Sequence, residues 1–275
     1  MKTKIIVSII IALINFAPAL SASFDAPTRD DGRWYYVLNN SLPSEAHHQR
    51  HQEIFGRDIT GYNHMVLKAI DQVQGTALDG GGYFMGRDAT PPESPIGHIL
   101  QLFEKPLLSP PRKASYCTGA TYAAFVETLN IIIPASERAA LSEDRFEALR
   151  MQELDGTRRE DHVKFWGRWN ADNTGHSDAL IQYTGMGKVM PPNSARPGDF
   201  VNIIWKNNHG HAVIFLGWQI DAKGEKNMLY WSSQPATNGL GDSQTRLSNT
   251  KSVTFVRLTD PRKIFSFDVD TSVDN

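Results

Sequence analysis

The residues best suited to chemistry are the single cysteine, Cys117, and one of the nine histidines. Cys117 begins an apolar stretch that is typical of a buried helix. At the first residues of a helix, free backbone N–H groups and the helix dipole stabilise an anion. Because a thiol attacks as its thiolate, a helix N-terminus beside a basic histidine suits a nucleophile. We therefore predict that Cys117 is a nucleophile and not a buried small hydrophobic residue.

His211 is the histidine best placed to act as the general base. It opens the apolar segment His211-Ala212-Val213-Ile214-Phe215-Leu216-Gly217, which is typical of a strand. The preceding Arg196-Pro197-Gly198-Asp199-Phe200 predicts a turn into another strand, and a turn at 207–210 then returns the chain antiparallel to it. A rigid sheet would thus hold the imidazole of His211.

A third polar residue is expected to accept a hydrogen bond from the other imidazole nitrogen. If 211–220 and 227–234 form a hairpin, Val213 lies opposite Gln234, and Gln234 shares the face of His211. We predict Gln234 for this role. Ser232 and Ser233 remain alternatives, because a shift of one residue exchanges the faces.

Substrate contacts are expected from the neighbours of the nucleophile. Tyr116 and Thr118 flank Cys117, and the small residues after the cysteine would let a substrate approach the sulfur. The backbone N–H of Cys117 and one donor from an upstream loop would bind an oxyanion. Tyr83, after a triple glycine, is a candidate for that loop.

Metal binding is not expected from the sequence. His47, His48 and His51 lie close together, and His47 and His51 have i, i+4 spacing, but no glutamate lies between them as in a metalloprotease helix. We interpret them as a solvated helix face. His209 and His211 lack a nearby carboxylate or thiol in sequence, and the segment 172–175 lacks calcium-loop spacing. No cofactor is predicted.

The elements that must position these residues indicate an α+β fold. Helical periodicity predicts helices at 44–55, 60–73 and 116–132. Further helices at 136–154, 159–169 and 176–183 indicate a helical insertion at about 136–185. Strands follow at 199–205, 211–220, 227–233 and 253–258, so an antiparallel sheet is expected. The proline-rich segment 86–113 predicts a surface loop.

The N-terminus predicts export. Residues 1–22 combine two lysines, an apolar run and small residues near a cleavage position, which is the pattern of a signal peptide. We expect residues 23–275 to form one secreted or periplasmic domain without stable membrane insertion. Twenty-eight basic and thirty acidic residues leave almost no net charge, which argues against a nucleic-acid partner. The oligomeric state stays open.

The pattern resembles the NlpC-like and CHAP cysteine peptidases and amidases, members of the papain-like superfamily. The resemblance rests on Cys117 at a helix start, on "ARPGDFV" before a strand and on "GHAVIFLGW" in the next strand. It implies a papain-like core with the nucleophile helix packed on the sheet. It also implies Cys117 as nucleophile, His211 as base and then acid, a polar residue near Gln234 as orienter, and amides of peptidoglycan peptide stems as substrate.

Other functions remain open at this point. The long interval between Cys117 and His211 also suits a secreted papain-like protease, in which Asn238 is a conceivable orienter. An acyltransferase would use the same residues. A non-catalytic module that binds cell-wall glycans would use the six tryptophans and eight tyrosines as stacking platforms.

Overall fold

The protein has an α+β fold built on a six-stranded antiparallel sheet. The computed structural model describes residues 28–30, 33–35, 46–90, 92–93, 95–110, 112–157, 166, 177, 179–220 and 223–271. The predicted signal peptide lies outside these residues, and so does the predicted helix 159–169 apart from Trp166. No helix in the described part of the chain is long and apolar enough to cross a bilayer.

The central sheet has the strand order β5-β10-β6-β7-β8-β9. Its strands are β5 (Gly187–Met190), β6 (Phe200–Trp205), β7 (Gly210–Ile220), β8 (Lys226–Gln234), β9 (Gly239–Arg246) and β10 (Thr250–Leu258). The four strands and the antiparallel pairing expected from the sequence are confirmed. The two strands at the edges of the sheet, β5 and β9, were not predicted, because neither has a regular apolar alternation.

The helices lie on one face of this sheet. They are α1 (His51–Phe55), α2 (Tyr62–Gln74), α3 (Cys117–Ile132), α4 (Ala135–Arg138), α5 (Glu143–Ala148) and α6 (Ala179–Gln182). Helix α3 is buried almost all round, as its apolar sequence predicts. Phe125 and Leu129 of α3 join Phe200, Ile214 and Trp231 of the sheet in the main core. The core therefore fixes the direction of the helix that begins at Cys117.

The opposite face of the sheet carries a second, smaller core. Val213 and Phe215 of β7 meet Met228 and Tyr230 of β8 there. Residues on the two faces alternate along β7, as the two-residue period of a strand requires. His211 has the parity of Val213 and Phe215, which places its side chain on the second face.

Two predicted segments differ from the structure. The region 86–113, predicted as a surface loop, includes a short hairpin of β3 (Leu100–Leu102) and β4 (Lys105–Leu108). Outside that region, β1 (Thr28–Asp30) pairs with β2 (Arg33–Tyr35). The single helix predicted at 136–154 is two short helices, α4 and α5, separated by residues 139–142. Trp166 from the predicted insertion is fully buried and stacks on Phe125, so this part of the region belongs to the main core.

Buried Asp199 explains much of the segment that leads into β6. Its carboxylate accepts hydrogen bonds from the Arg257 guanidinium at 2.7 and 2.8 Å and from the Asn63 amide at 2.8 Å. It also accepts one from the backbone N–H of Arg196. Removing one partner from such a buried ionic network typically costs about 3–5 kcal/mol. Asp199, directly before β6, thereby connects β6 to β10 and α2. Strand β6 pairs with β7, which carries His211.

Candidate active site

Cys117 is the first residue of α3, as predicted. The preceding residue, Tyr116, has an extended backbone, and its carbonyl accepts the N–H of Ala120 at 2.8 Å. The N–H groups of the first turn, including that of Cys117, therefore have no partner within the helix. The cysteine side chain is buried, with only 3 % of the residue exposed. The sulfur thus lies at the floor of the site and not on an open surface.

A cleft of about 660 Å³ brings most of the predicted site residues together. Five of the six candidates line it: Tyr83, Tyr116, Cys117, His211 and Gln234. The remaining lining consists of aromatic, small and neutral polar side chains with one further histidine: Met85, Trp205, Asn207, His209, Gly210, Tyr230, Pro235, Ala236 and Ser243. The start of α3 and strands β6–β8 therefore all contribute residues to one cleft.

The surroundings of the sulfur act on its ionisation in opposite directions. Burial raises the pKa of the Cys117 thiol above its usual value. Hydrogen bonds from the backbone of Ala212 and from the side chains of Thr118 and Tyr116 partly offset this rise. The Thr118 hydroxyl lies 3.9 Å from the sulfur. Because Ala212 directly follows His211, the start of β7 lies close to the sulfur of Cys117.

His211 is half-buried near the start of β7, where it pairs with Ile203 of β6. Its ring lies between two aromatic side chains. The ring of Trp205 is nearly parallel to it at a centroid distance of 6.4 Å, and the ring of Tyr230 meets it edge to face at 5.6 Å. These contacts restrict the rotation of the imidazole within the cleft.

Gln234 lies at the end of β8 on the same face as His211, although the predicted register is wrong by two residues. Ile214 pairs with Trp231 and Phe215 with Tyr230, and an irregularity between Phe215 and Gly217 shifts the ladder farther on. Continuing the register past Ile214 sets Gln234 level with His211. A shift of two keeps every side chain on its face, so the predicted side was preserved.

The amide of Gln234 has one oxygen to spare. Its Nε2 donates to the Thr237 hydroxyl at 2.6 Å and to the Gly241 carbonyl at 2.9 Å. Its Oε1 is buried and has no hydrogen-bond partner among the described residues. Buried polar atoms without a partner are rare in proteins. Gln234 is thus held firmly by its nitrogen while an acceptor remains available beside the cleft.

The alternative orienters are engaged elsewhere. The Ser232 hydroxyl donates to the carbonyl of Ala212 at 2.6 Å, and the Ser233 hydroxyl accepts from that of Ser115 at 2.8 Å. Asn238 occupies a left-handed turn with φ of 50° and is not among the described residues that line the cleft. The serines instead join β8 to β7 and to the residue two positions before Cys117.

The small residues after Cys117 make room for the chain rather than for a substrate. Thr118 is 1 % exposed and does not line the cleft, so its hydroxyl meets the sulfur from within the fold. A Cβ atom on Gly119 would lie 2.2 Å from the carbonyl oxygen of Pro95. That carbonyl accepts the N–H of Tyr116 at 3.0 Å. The absence of a side chain at Gly119 therefore lets a loop clamp the start of α3.

The triple glycine brings Tyr83 close to the residues just before Cys117. Gly82 donates its N–H to the Asn238 carbonyl at 2.7 Å and accepts the N–H of Ser115 at 3.0 Å. Tyr83 then forms a bridge with Ser115, and its ring packs on that of Tyr116 at 6.0 Å. The glycine segment 80–82 thus lies between β9 and the residues just before Cys117.

Trp205, Tyr230 and Ser243 are among the lining residues that were not predicted from the sequence. Burial raises the pKa of the Tyr230 hydroxyl, and a hydrogen bond to the Ser243 side chain partly offsets this. Strand alternation could have identified Tyr230, because it lies four residues before Gln234 on the same strand and therefore on the same face. Ser243 lies on β9, which was not predicted.

The interpretation of His47, His48 and His51 as a solvated helix face is wrong. Helix α1 begins only at His51, so the i, i+4 relation of His47 and His51 does not apply. His51 is completely buried and stacks on His48 at a centroid distance of 4.3 Å. His47 instead makes a hydrogen bond of 2.9 Å with the carbonyl of Leu240.

Two aspartates complete this buried cluster. His51 Nδ1 lies 2.7 Å from Asp71 Oδ1, and His51 Nε2 lies 2.8 Å from Asp242 Oδ1. His48 Nε2 lies 3.0 Å from the other oxygen of Asp242. Among the described residues, His48, His51 and Asp242 are the group whose ligand atoms are close enough to hold a metal ion. His209, by contrast, is exposed on the rim of the cleft.

The cleft and the buried cluster lie on opposite faces of the sheet at its β8–β9 edge, where Asp242 and Ser243 are consecutive.

No family model, no curated protein and no solved structure matches this chain.

Proposed function

We propose that the protein is an exported cysteine hydrolase that cleaves amide bonds, with Cys117 as nucleophile and His211 as general base. One observation carries the proposal. The only cysteine of the chain lies at a helix N-terminus and lines the same cleft as His211, and the backbone of the next residue, Ala212, acts to lower the pKa of its thiol. A purely structural cysteine needs neither the cleft nor the histidine.

The proposed reaction is acyl transfer through a thioester. His211 takes the thiol proton, the sulfur bonds to the amide carbonyl carbon, and the C–N bond breaks as His211 returns that proton to the leaving amine. Water then attacks the thioester carbonyl carbon while His211 takes a proton from the water. The C–S bond breaks, the carboxylic acid leaves, and His211 returns the proton to the Cys117 sulfur. In this proposal the Oε1 atom of Gln234, which has no partner among the described residues, accepts the second N–H of the imidazole during the reaction and keeps the ring in the productive orientation.

Two donors are placed to bind the oxyanion of this reaction. The backbone N–H of Cys117 is free of intrahelical bonding at the start of α3. The Tyr116 side chain, whose hydroxyl acts to lower the pKa of the Cys117 thiol, lines the same cleft. When sulfur attacks a carbonyl, that hydroxyl becomes available to the developing negative charge.

The substrate class follows from the resemblance to NlpC-like and CHAP enzymes. Helix α3, which begins at Cys117, packs on an antiparallel sheet, and His211 lies on strand β7 of that sheet. This arrangement is compatible with the papain-like core of those enzymes. We assign amides of peptidoglycan peptide stems as the substrate and the periplasm or cell exterior as the compartment. The signal-peptide pattern at residues 1–22 supports export, and the mass of the mature protein from the producing cell tests it.

The test is release of soluble fragments from purified peptidoglycan, with product masses that identify the cleaved bond. The wild type and Cys117→Ala are compared first. His211→Ala is compared with His209→Ala, because both histidines line the cleft but only His211 is assigned a role. We expect Cys117→Ala to be inactive, His211→Ala to lose about 10²- to 10⁴-fold, and His209→Ala to stay within about threefold.

Other substrates are separated by the same proteins. If peptidoglycan stays intact while an unfolded polypeptide is cut in a Cys117-dependent way, the protein is a protease of papain-like type. If an added amine takes the acyl group in preference to water, the protein is an acyltransferase. Loss of activity in His209→Ala equal to that in His211→Ala would remove the assigned base.

A non-catalytic wall-binding module is the second candidate, favoured by the aromatic lining of the cleft. Tyr83, Tyr116, Trp205 and Tyr230 offer ring faces suited to sugars, and burial raises the pKa of the Cys117 thiol. Alkylation of the thiol separates the two functions. A catalytic Cys117 reacts rapidly at neutral pH and more slowly in His211→Ala, whereas a module binds wall fragments equally well with Cys117→Ala and has an inert thiol.

A further inference from the structure

The buried cluster of His48, His51, Asp71 and Asp242 plays no part in the proposed reaction. It joins two distant parts of the chain, since His51 and Asp242 are 191 residues apart. We propose that His48, His51 and Asp242 form a closed structural site for a divalent transition metal ion of the zinc class. The site would fasten the segment 46–55 to β9.

The donor atoms of the cluster converge as a metal site requires. Nε2 of His51 faces one oxygen of Asp242 and Nε2 of His48 faces the other, at 2.8 and 3.0 Å. Two imidazole nitrogens and a carboxylate that binds through both oxygens supply four ligand atoms. This nitrogen and oxygen set suits zinc. Metal–ligand bonds of about 2.0–2.2 Å need donor separations near 3.3 Å, so each pair opens by a few tenths of an ångström.

Asp71 supplies the support that metal-bound histidines usually have. Its carboxylate lies 2.7 Å from Nδ1 of His51 and accepts the backbone N–H groups of His51 and Gln52 at 2.7 and 3.0 Å. A carboxylate behind the ring fixes the tautomer and turns the other nitrogen toward the metal. His51 is therefore oriented by a residue that is not itself a ligand.

His48 must change one hydrogen bond when the ion binds. Its Nδ1 now accepts the backbone N–H of Arg50 at 3.2 Å, so Nε2 carries the ring proton. On binding, Nε2 gives its lone pair to the metal, Nδ1 takes a proton from solvent, and the bond from Arg50 opens. The Nε2 protons of both rings leave to solvent.

Charge and burial favour a divalent ion at this place. The side chains of His48, His51 and Asp242 are 6 %, 0 % and 4 % exposed. The buried carboxylate of Asp242 and the carboxylate of Asp71, whose side chain is 18 % exposed, bring two negative charges to the two nitrogens of His51. An uncompensated charge is costly where it is buried. A divalent ion with two neutral imidazoles balances the two charges completely. The backbone already joins the same parts, since Asp242 donates its N–H to the Ala46 carbonyl at 2.8 Å.

The test uses the full chain without a histidine tag, stripped with a chelator and then titrated with zinc chloride. We expect about one zinc per chain after desalting, measured by elemental mass spectrometry. We also expect the Tm to rise by about 5–10 °C when free zinc exceeds Kd a hundredfold. Cobalt in place of zinc should give the visible absorption of a four-coordinate site, which is independent of any variant.

His48→Gln is the test variant and His47→Ala its matched control, because the His47 ring bonds the Leu240 carbonyl and lies outside the ligand set. His48→Gln should lose the zinc and the shift in Tm, whereas His47→Ala should keep both. If the folded wild type takes up no zinc, the proposed metal site is wrong, and the cluster is a hydrogen-bonded network of histidines and aspartates. Equal uptake by His48→Gln would place the metal elsewhere. Alkylation of Cys117 is measured in parallel, so failure here is distinct from failure of the proposed hydrolase.

Discussion

The rings of Tyr230 and His211 meet edge to face at a centroid distance of 5.6 Å and an angle of 80°. The Tyr230 hydroxyl also interacts with the Ser243 side chain, and a negative charge on Cys117 acts to raise the pKa of Tyr230. Tyr230 on β8 therefore contacts the proposed base, and its pKa depends on the charge of the proposed nucleophile. Its ring and its hydroxyl have separable roles.

Replacing Tyr230 tests which of these roles matters. Tyr230→Phe keeps the ring against His211 and loses only the hydroxyl, so we expect peptidoglycan-cleaving activity within about threefold of wild type. Tyr230→Leu frees the imidazole, so we expect a loss of about tenfold or more, within the range contributed by a positioned base. Initial rates of fragment release measure both. Equal losses in the two variants would assign the effect to the hydroxyl.

Gln234 is expected to act through His211 and not on the substrate. Gln234→Ala removes the spare Oε1 acceptor and should lower the turnover number about tenfold, with a smaller change in KM. Gln244→Ala is the control, because Gln244 is an exposed glutamine on the neighbouring strand β9. Kinetics with a soluble peptide-stem amide provide the two constants. A rise in KM alone would instead make Gln234 a substrate contact.

The cluster around His51 predicts a pH dependence of stability in the metal-free protein. Burial on its own would lower the pKa of His51, but the carboxylates of Asp242 and Asp71 outweigh it and raise the pKa from 6.5 to about 9. The charged form is thus favoured by folding. Its contribution, on the order of 3 kcal/mol, is fully present below about pH 6.5 and is lost as the pH rises through about 9.

Urea unfolding between pH 6 and 10 with a chelator present measures this loss. The wild type should become less stable across that range. His51→Gln should be less stable at pH 6 and should decline less with rising pH. Parallel curves for the two proteins would show that His51 does not carry the charge.

Two glycines with left-handed backbones separate conformational strain from steric clash. Gly224 has φ of 79° and open space where a Cβ atom would lie, whereas a Cβ on Gly239, at φ of 114°, would lie 2.0 Å from the carbonyl oxygen of Gly80. Gly224→Ala should cost about 1–2 kcal/mol of unfolding free energy. Gly239→Ala should cost at least about twice as much, because backbone must also move. Denaturant unfolding measures the loss of stability in each variant. Equal losses would mean that the backbone of segment 80–82 can move away from a Cβ atom at position 239 at little cost.

The sequence predicted the elements whose signal is local. The apolar run after Cys117 and the apolar segment after His211 are each visible within a single element, and the helix and the strand were both placed correctly. Gln234 came out on the correct face only because the error in register was an even number of residues. The irregularity near Gly217 that changes the register has no clear local signal.

Features that depend on distant partners were not predicted. The histidines at 47–51 look solvated in sequence because Asp71 and Asp242, which surround His51, belong to α2 and β9. Strand β9 itself contains few apolar residues, and its pairing with β8 decides its conformation. The buried histidine–aspartate cluster and the part of the cleft lined by Ser243 therefore depend on tertiary contacts and could not be predicted from local sequence.

The glycine segment 80–82 also has a consequence for folding. The start of α3 is joined to β8 by the Ser115–Ser233 bond across 118 residues, and segment 80–82 is joined to residues 238–240. Contacts between such distant parts of a chain form slowly, because much loop entropy is lost before they are made. The cleft is therefore completed only after β8 and β9 have joined the sheet. A chain that lacks these last strands therefore has Cys117 without the β7–β9 residues that line the cleft with it, so under the proposed function we expect such a chain to be inactive.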